Sequence, residues 1–170
     1  MTLSIKEFIS KYKGTAIDVP WDDGHWKGEC VSLAQIYVNE VASLPLFKSN
    51  GKPYARGNGI DFGNTLIKDG DAIKVTTPQY GDLVIWGGFS GYGHVAVYID
   101  KNTVFDQTTG QRKTAQLRTP LPNIIQYVRL KASIKPDTSD GSLVKQDGKF
   151  TVTFADGLNV RKEPSINSER

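Results

Sequence analysis

Apolar residues recur at helical spacing in the first part of this chain, and from residue 82 onward they gather into short β-branched and aromatic runs. Ser4 and Glu7 stand in capping-box spacing, and Ile5, Phe8, Ile9 and Tyr12 follow at helical intervals up to Gly14. Residues 4–13 are therefore predicted as a short amphipathic helix. Val31, Ala34, Tyr37, Val38 and Val41 share one face of a second helix, which puts Cys30 in its first turn. A polar, Gly-rich middle from 49 to 70 has room for a short helix near 61–67. Then Asp82–Trp86, His94–Ile99, Thr103–Asp106 and Ile124–Leu130 read as four strands separated by Gly, Asn or Pro. Such short connections suit an antiparallel sheet, and helices followed by strands indicate an α+β domain in place of a βαβ alternation.

The first domain is expected to span residues 1–131. From 132 to 147 the chain turns to Lys, Pro, Asp, Ser, Thr and Gly, as in a linker. Within 148–170, Gly148–Phe154 and Leu158–Ser165 read as two strands around a turn, too little for an independently stable domain. With 38% hydrophobic and 23% charged residues among 170, the chain can bury one sizeable core. Its 21 basic and 18 acidic residues are spread without a run of five or more like charges, which disfavours nucleic acid as a partner. The net charge of +3 suits approach to an anionic polymer such as a teichoic-acid-bearing wall. No apolar run approaches the roughly 18 residues of a membrane span, so no membrane insertion is expected. The N-terminus lacks the basic and apolar segments of a signal peptide, so synthesis in a cytoplasm without export is expected.

A single cysteine cannot form an intramolecular disulfide, so Cys30 is a buried small residue, a lone metal ligand or a reactive thiol. A thiol at a helix N-terminus sits where unpaired N–H groups and the macrodipole favour a thiolate, and the oxyanion that follows its attack. Its base must be His25 or His94, the two histidines present. His25 lies in a turn-rich loop open to solvent. His94 opens a strand behind a Gly-containing loop, where a strand end can face the helix N-terminus across a cleft. Asp106 on the following strand is the candidate that orients His94: with the turn centred near residue 100 or 101, the two are near cross-strand partners.

Gly28–Leu33, Gly81–Trp86, Gly91–Val97 and Phe105–Gln107, in that order, resemble the segments of CHAP domains, the cysteine, histidine-dependent amidohydrolase/peptidase family of phage endolysins and bacterial wall hydrolases. The resemblance covers residues 5–131. It implies a papain-like α+β fold, with N-terminal helices packed on an antiparallel sheet, Cys30 as nucleophile, His94 as base and Asp106 at the place of the family's acid or amide. It also implies attack on a peptidoglycan amide, either the bond to the first L-Ala or one within the stem peptide or bridge, without a required cofactor.

Two departures stand out. Where many members have Gln before the cysteine as an oxyanion donor, this chain has Glu29; an ionised carboxylate cannot donate, so it is either protonated or points elsewhere while backbone N–H groups serve. Calcium, which some members bind in the loop before the cysteine, would have Asp22 and Asp23 as candidates, but Trp21 and Ser32 stand where ligands are needed, so a full site is not expected. Both aspartates beside Gly24 serve equally well as turn formers. Trp26 and Trp86 are candidates for the substrate groove, against a core role. Residues 148–165 resemble the opening of a bacterial SH3-like wall-binding domain. The expectation is a monomeric endolysin acting on Gram-positive peptidoglycan once the membrane is permeabilised. Its rivals are a bacterial autolysin of the same chemistry, a non-catalytic wall-binding module and a protein-directed cysteine protease.

Overall fold

The computed structural model describes residues 2–88, 91–107, 113–120, 122–137, 144–146 and 149–151. Three helices come first: α1 (Ile5–Tyr12), α2 (Cys30–Glu40) and α3 (Gly59–Lys68). Strands β1 (Ala72–Val75), β2 (Leu83–Trp86), β3 (His94–Asp100), β4 (Thr103–Asp106), β5 (Gln116–Arg118) and β6 (Ile124–Leu130) follow. They form one antiparallel sheet in the order β1-β6-β2-β3-β4-β5, so the α+β architecture is as expected.

Local chemistry sets the helix starts. The capping box of α1 is closed on both sides: Glu7 N–H donates to Ser4 Oγ at 3.2 Å, and Ser4 N–H donates to Glu7 Oε2 at 2.7 Å. Asn58 caps α3 by accepting the N–H groups of Ile60 and Asp61, so this helix begins two residues before the expected 61–67. In α2 every residue from Ser32 to Val38 is buried, the polar Ser32 and Gln35 included, a wider buried surface than the single apolar face read from the sequence.

The main core lies where the helices meet the sheet. Phe8, Leu33, Tyr37, Phe62 and Leu66 pack against Leu83, Ile85, Val95, Val97, Phe105 and Val128. Phe8 lies edge-on to Tyr37 and Phe105, with ring centres 5.3 and 6.1 Å apart. A second cluster, Val84, Trp86, Ala96 and Val104, holds the alternate residues of β2, β3 and β4. Strand β2 is thus buried on both sides, which is why it reads as an unbroken apolar run.

Two strands went unread. β1 buries only Ala72, and β5 buries none of its three residues, so neither shows an alternation that a sequence pattern could reveal. Both are edges, recruited by pairing with β6 and β4. The β3–β4 register corresponds to a turn centred near residue 101. The pairs are Val97↔Phe105 and Tyr98↔Val104, with an irregularity next to the turn between Tyr98 and Asp100. Continued by one step, this register sets Asp106 opposite Ala96, two positions from His94. A two-residue offset keeps both on the same face.

The chain divides into two compact units, Met1–Lys135 and Pro136–Arg170. In the second, β7 (Val144–Gln146) pairs antiparallel with β8 (Lys149–Thr151). β7 falls inside the stretch read as linker, and β8 inside the expected strand 148–154; the expected strand 158–165 lies outside the described residues. No helix among the described residues is long and apolar enough to cross a membrane.

Candidate active site

Cys30 is the first residue of α2 and His94 the first of β3, so two element ends meet at one point. The Cys30 sulfur is near enough to His94 to help hold charge on its imidazole. His94 Nε2 lies 2.8 Å from Asp106 Oδ2, which leaves Nδ1 as the nitrogen for the sulfur. The reach from His94 to Asp106 is the diagonal one between adjacent strands, within the span of these side chains. All three residues are buried, with Cys30 8% and His94 3% exposed, so their mutual electrostatics act in a medium far less polarisable than water. Burial works against a charged imidazole, but its interactions with the accepting Asp106 carboxylate and with Cys30, and the electrostatic pull of both, outweigh it and push His94 up from 6.5 to about 9. Below that pH the ring holds a proton between a carboxylate and a sulfur. Such an arrangement can generate a nucleophile and return a proton to a leaving group.

A groove of about 840 Å³ opens onto this pair, with Val19, Trp21, Trp26, Arg56 and Tyr92 in its walls beside Cys30 and His94. Trp26 is 48% exposed on the groove wall, as a candidate substrate contact should be. Trp86 is not a groove residue. It is fully buried in the second cluster, on the sheet face that it shares with His94, its cross-strand partner, with ring centres 5.4 Å apart.

Glu29 lines the groove, yet its carboxylate turns to Lys113, with Oε1 3.2 Å from Nζ. Of the two alternatives for this residue, the structure shows the one in which it points elsewhere. The first N–H groups of a helix have no intrahelical acceptor, so those of Cys30 and Val31 are left as candidate oxyanion donors.

The loop before Cys30 is held by side chains whose role the sequence did not disclose. Gln107, fully buried, donates from Nε2 to the carbonyls of Ile17 and Glu29 at 2.9 and 2.8 Å and accepts the Ile17 N–H at 2.9 Å. It follows Asp106 directly, so adjacent residues secure the two halves of the site. Ser32 Oγ donates to the Trp26 carbonyl at 2.7 Å. Gly59, the first residue of α3, lies so close to His94 that a Cβ there would stand 2.6 Å from its backbone nitrogen.

Asp22 accepts the backbone N–H of Trp26, a turn-forming role, and among the described residues no three His, Cys, Asp or Glu side chains converge as metal ligands. His25 is exposed and lies edge-on to Trp26 at 4.5 Å between ring centres, away from the role of base.

The model of one protein family, the CHAP domain, matches residues 19–109, more than half of the chain. No curated protein matches it. Among solved structures the chain is similar to the peptidoglycan hydrolase RipB from Mycobacterium tuberculosis, at 16% identity and a TM-score of 0.49, over 76% of this chain and 64% of that one. It thus spans less than two thirds of RipB as solved. It is also similar to RipD from the same organism, a non-catalytic NlpC/p60 domain protein adapted to peptidoglycan binding, at 14% identity and a TM-score of 0.34, over 75% of this chain and 93% of that one.

Proposed function

The chain belongs to the CHAP domain family, and from that membership we propose that it hydrolyses an amide bond of peptidoglycan with Cys30 as nucleophile. The observation that carries the reading is the buried Cys30–His94–Asp106 chain at the floor of an open groove. His94, positive at neutral pH, favours a negative sulfur beside it. Sγ attacks the carbonyl carbon, and the oxyanion faces the N–H groups at the start of α2. Collapse breaks the C–N bond as His94 gives its proton to the departing amine. A thioester remains on Cys30. His94, now neutral, takes a proton from water; the hydroxide adds to the thioester, the C–S bond breaks, and product acid and resting pair are restored. Asp106 holds the ring in place and favours its charged form throughout.

The finer reading is an endolysin acting on Gram-positive walls, with residues 148–170 opening a wall-binding module; the resemblance of those residues is its support. Digestion of purified walls with the protein and with Cys30→Ala, followed by labelling of new amino termini and mass spectrometry, tests the proposal. Fragments are expected from the wild type alone. New L-Ala termini would identify an amidase, and termini within stem or bridge an endopeptidase. Equal action by both proteins, or none by either on several wall types, would refute the hydrolase reading and leave a wall-binding module.

A further inference from the structure

Asp106 has a second charged partner. Arg118, on the unread edge strand β5, places Nε 2.6 Å from Asp106 Oδ1, while Oδ2 serves His94. The Arg118 contact lies off the hydrogen-bond direction and holds by charge. The β4–β5 pairs are Val104↔Arg118, Phe105↔Leu117 and Asp106↔Gln116. Arg118 is therefore two positions from the residue opposite Asp106, on the same face. His94, Asp106 and Arg118 form a diagonal line across three adjacent strands, with one carboxylate between two cations. Their side chains are 4%, 2% and 22% exposed, so the outer cation is the one nearest water.

We propose that Arg118 is a positioning residue for the Cys30–His94 pair: it fixes the Asp106 carboxylate through Oδ1 and limits the hold of that carboxylate on the His94 proton. The proposal deepens the hydrolase reading and rests on it for its catalytic meaning. A general acid must keep its proton at working pH and still release it to the amine, so too strong a carboxylate is as harmful as none. Arg118 does not line the groove, so its action on substrate would pass through Asp106 and His94. Arg56 lines the groove beside His94, and its charge is the same in every Arg118 variant. Facing His94, α2 brings Cys30, β4 brings Asp106, α3 brings Gly59, and β2 brings Trp86; Glu29, ahead of α2, is paired with Lys113.

The chain has two histidines, His25 and His94, so a histidine-selective NMR titration of the full protein resolves both, and His25→Asn assigns them. Removing a unit charge one carboxylate away should raise the His94 midpoint by about one pH unit in Arg118→Met. Arg118→Lys should restore it to within a few tenths of a unit, and His25 should not move. On purified walls the alkaline limb of kcat/KM should follow the His94 midpoint, with KM unchanged. Should the methionine variant fail to fold, Arg118→Gln carries the same expectation. A His94 midpoint that stays or falls in a cooperatively folded variant overturns the proposal. A midpoint that rises in a protein whose wild type cuts no wall would remove the hydrolase reading and leave the control of His94 by Arg118 standing.

Discussion

Replacing Gly59 with alanine sets two effects of opposite sign against each other. On helix propensity alone, Gly→Ala stabilises a helix by up to about 1 kcal/mol, and less at a first-turn position. Here the added Cβ would stand 2.6 Å from the His94 nitrogen, 2.7 Å from its Cα and 2.8 Å from the Gly93 carbonyl carbon. All three neighbours are backbone atoms and cannot swing aside as a side-chain end can. Ordinary contact begins at 3.4 Å, so the first turn of α3 and the start of β3 must part by roughly 0.8 Å. Overpacking of this kind costs about 1–3 kcal/mol, more than the propensity gain. The atoms displaced carry the imidazole, and a misplacement near 1 Å can cost on the order of 100-fold in rate. Gly59→Ala is therefore expected to unfold at lower temperature and to lose about 10- to 100-fold in kcat on purified walls well below that temperature. Gly63→Ala, one turn on, is the control. Its Cβ would meet side-chain atoms of Val128, Gln126 and Ile85 at 2.9–3.2 Å, so it should lose stability and keep kcat. A Gly59→Ala protein as active as the wild type, or more stable than it, would refute the argument that this glycine sets the position of His94.

Asp106→Asn removes the carboxylate that outweighs burial at His94, so the alkaline limb of kcat/KM should fall from about 9 toward lower pH, with a loss on the order of 100-fold or more at neutral pH; a limb that stays near 9 would exclude Asp106 as its cause. The two tryptophans should separate cleanly. Trp26→Ala is expected to raise KM with little change in thermal unfolding, and Trp86→Ala to cost about 3–5 kcal/mol of stability, read from denaturant unfolding. The reverse pattern would mean that their exposure misstates their roles.

The parts of the fold legible in the sequence are those whose signal is local. Ser4 and Glu7 announce α1 because a capping box is complete within four residues, and Cys30 falls at a helix start because the apolar spacing of α2 begins beside it. β2, β3 and β4 are legible because their burial writes itself into composition, and β6 because its run Ile124–Leu130 is rich in β-branched and aromatic residues. β1 and β5 are not, since an edge strand with little buried surface owes its conformation to a partner far along the chain. The same limit hid two side chains of the site. Arg118 lies on β5, and the partners of Gln107 are backbone groups of Ile17 and Glu29, so neither role has a spacing that a reader of residues could recognise. The joining of Asp106 to His94 was legible because a turn near residue 101 brings the two strand positions close, but the one-residue irregularity beside Asp100 has no signature in composition.

Asp106 and Gln107 are neighbours at the end of one strand, one turned to the histidine and the other to the loop that carries the cysteine. A hairpin of β3 and β4 mispaired by a single residue would exchange the two directions. The carboxylate would then enter the apolar layer, and the amide would meet the imidazole. One pairing both completes the core and brings the candidate reacting groups together. If the protein is the hydrolase proposed, specific activity becomes a count of correctly registered molecules.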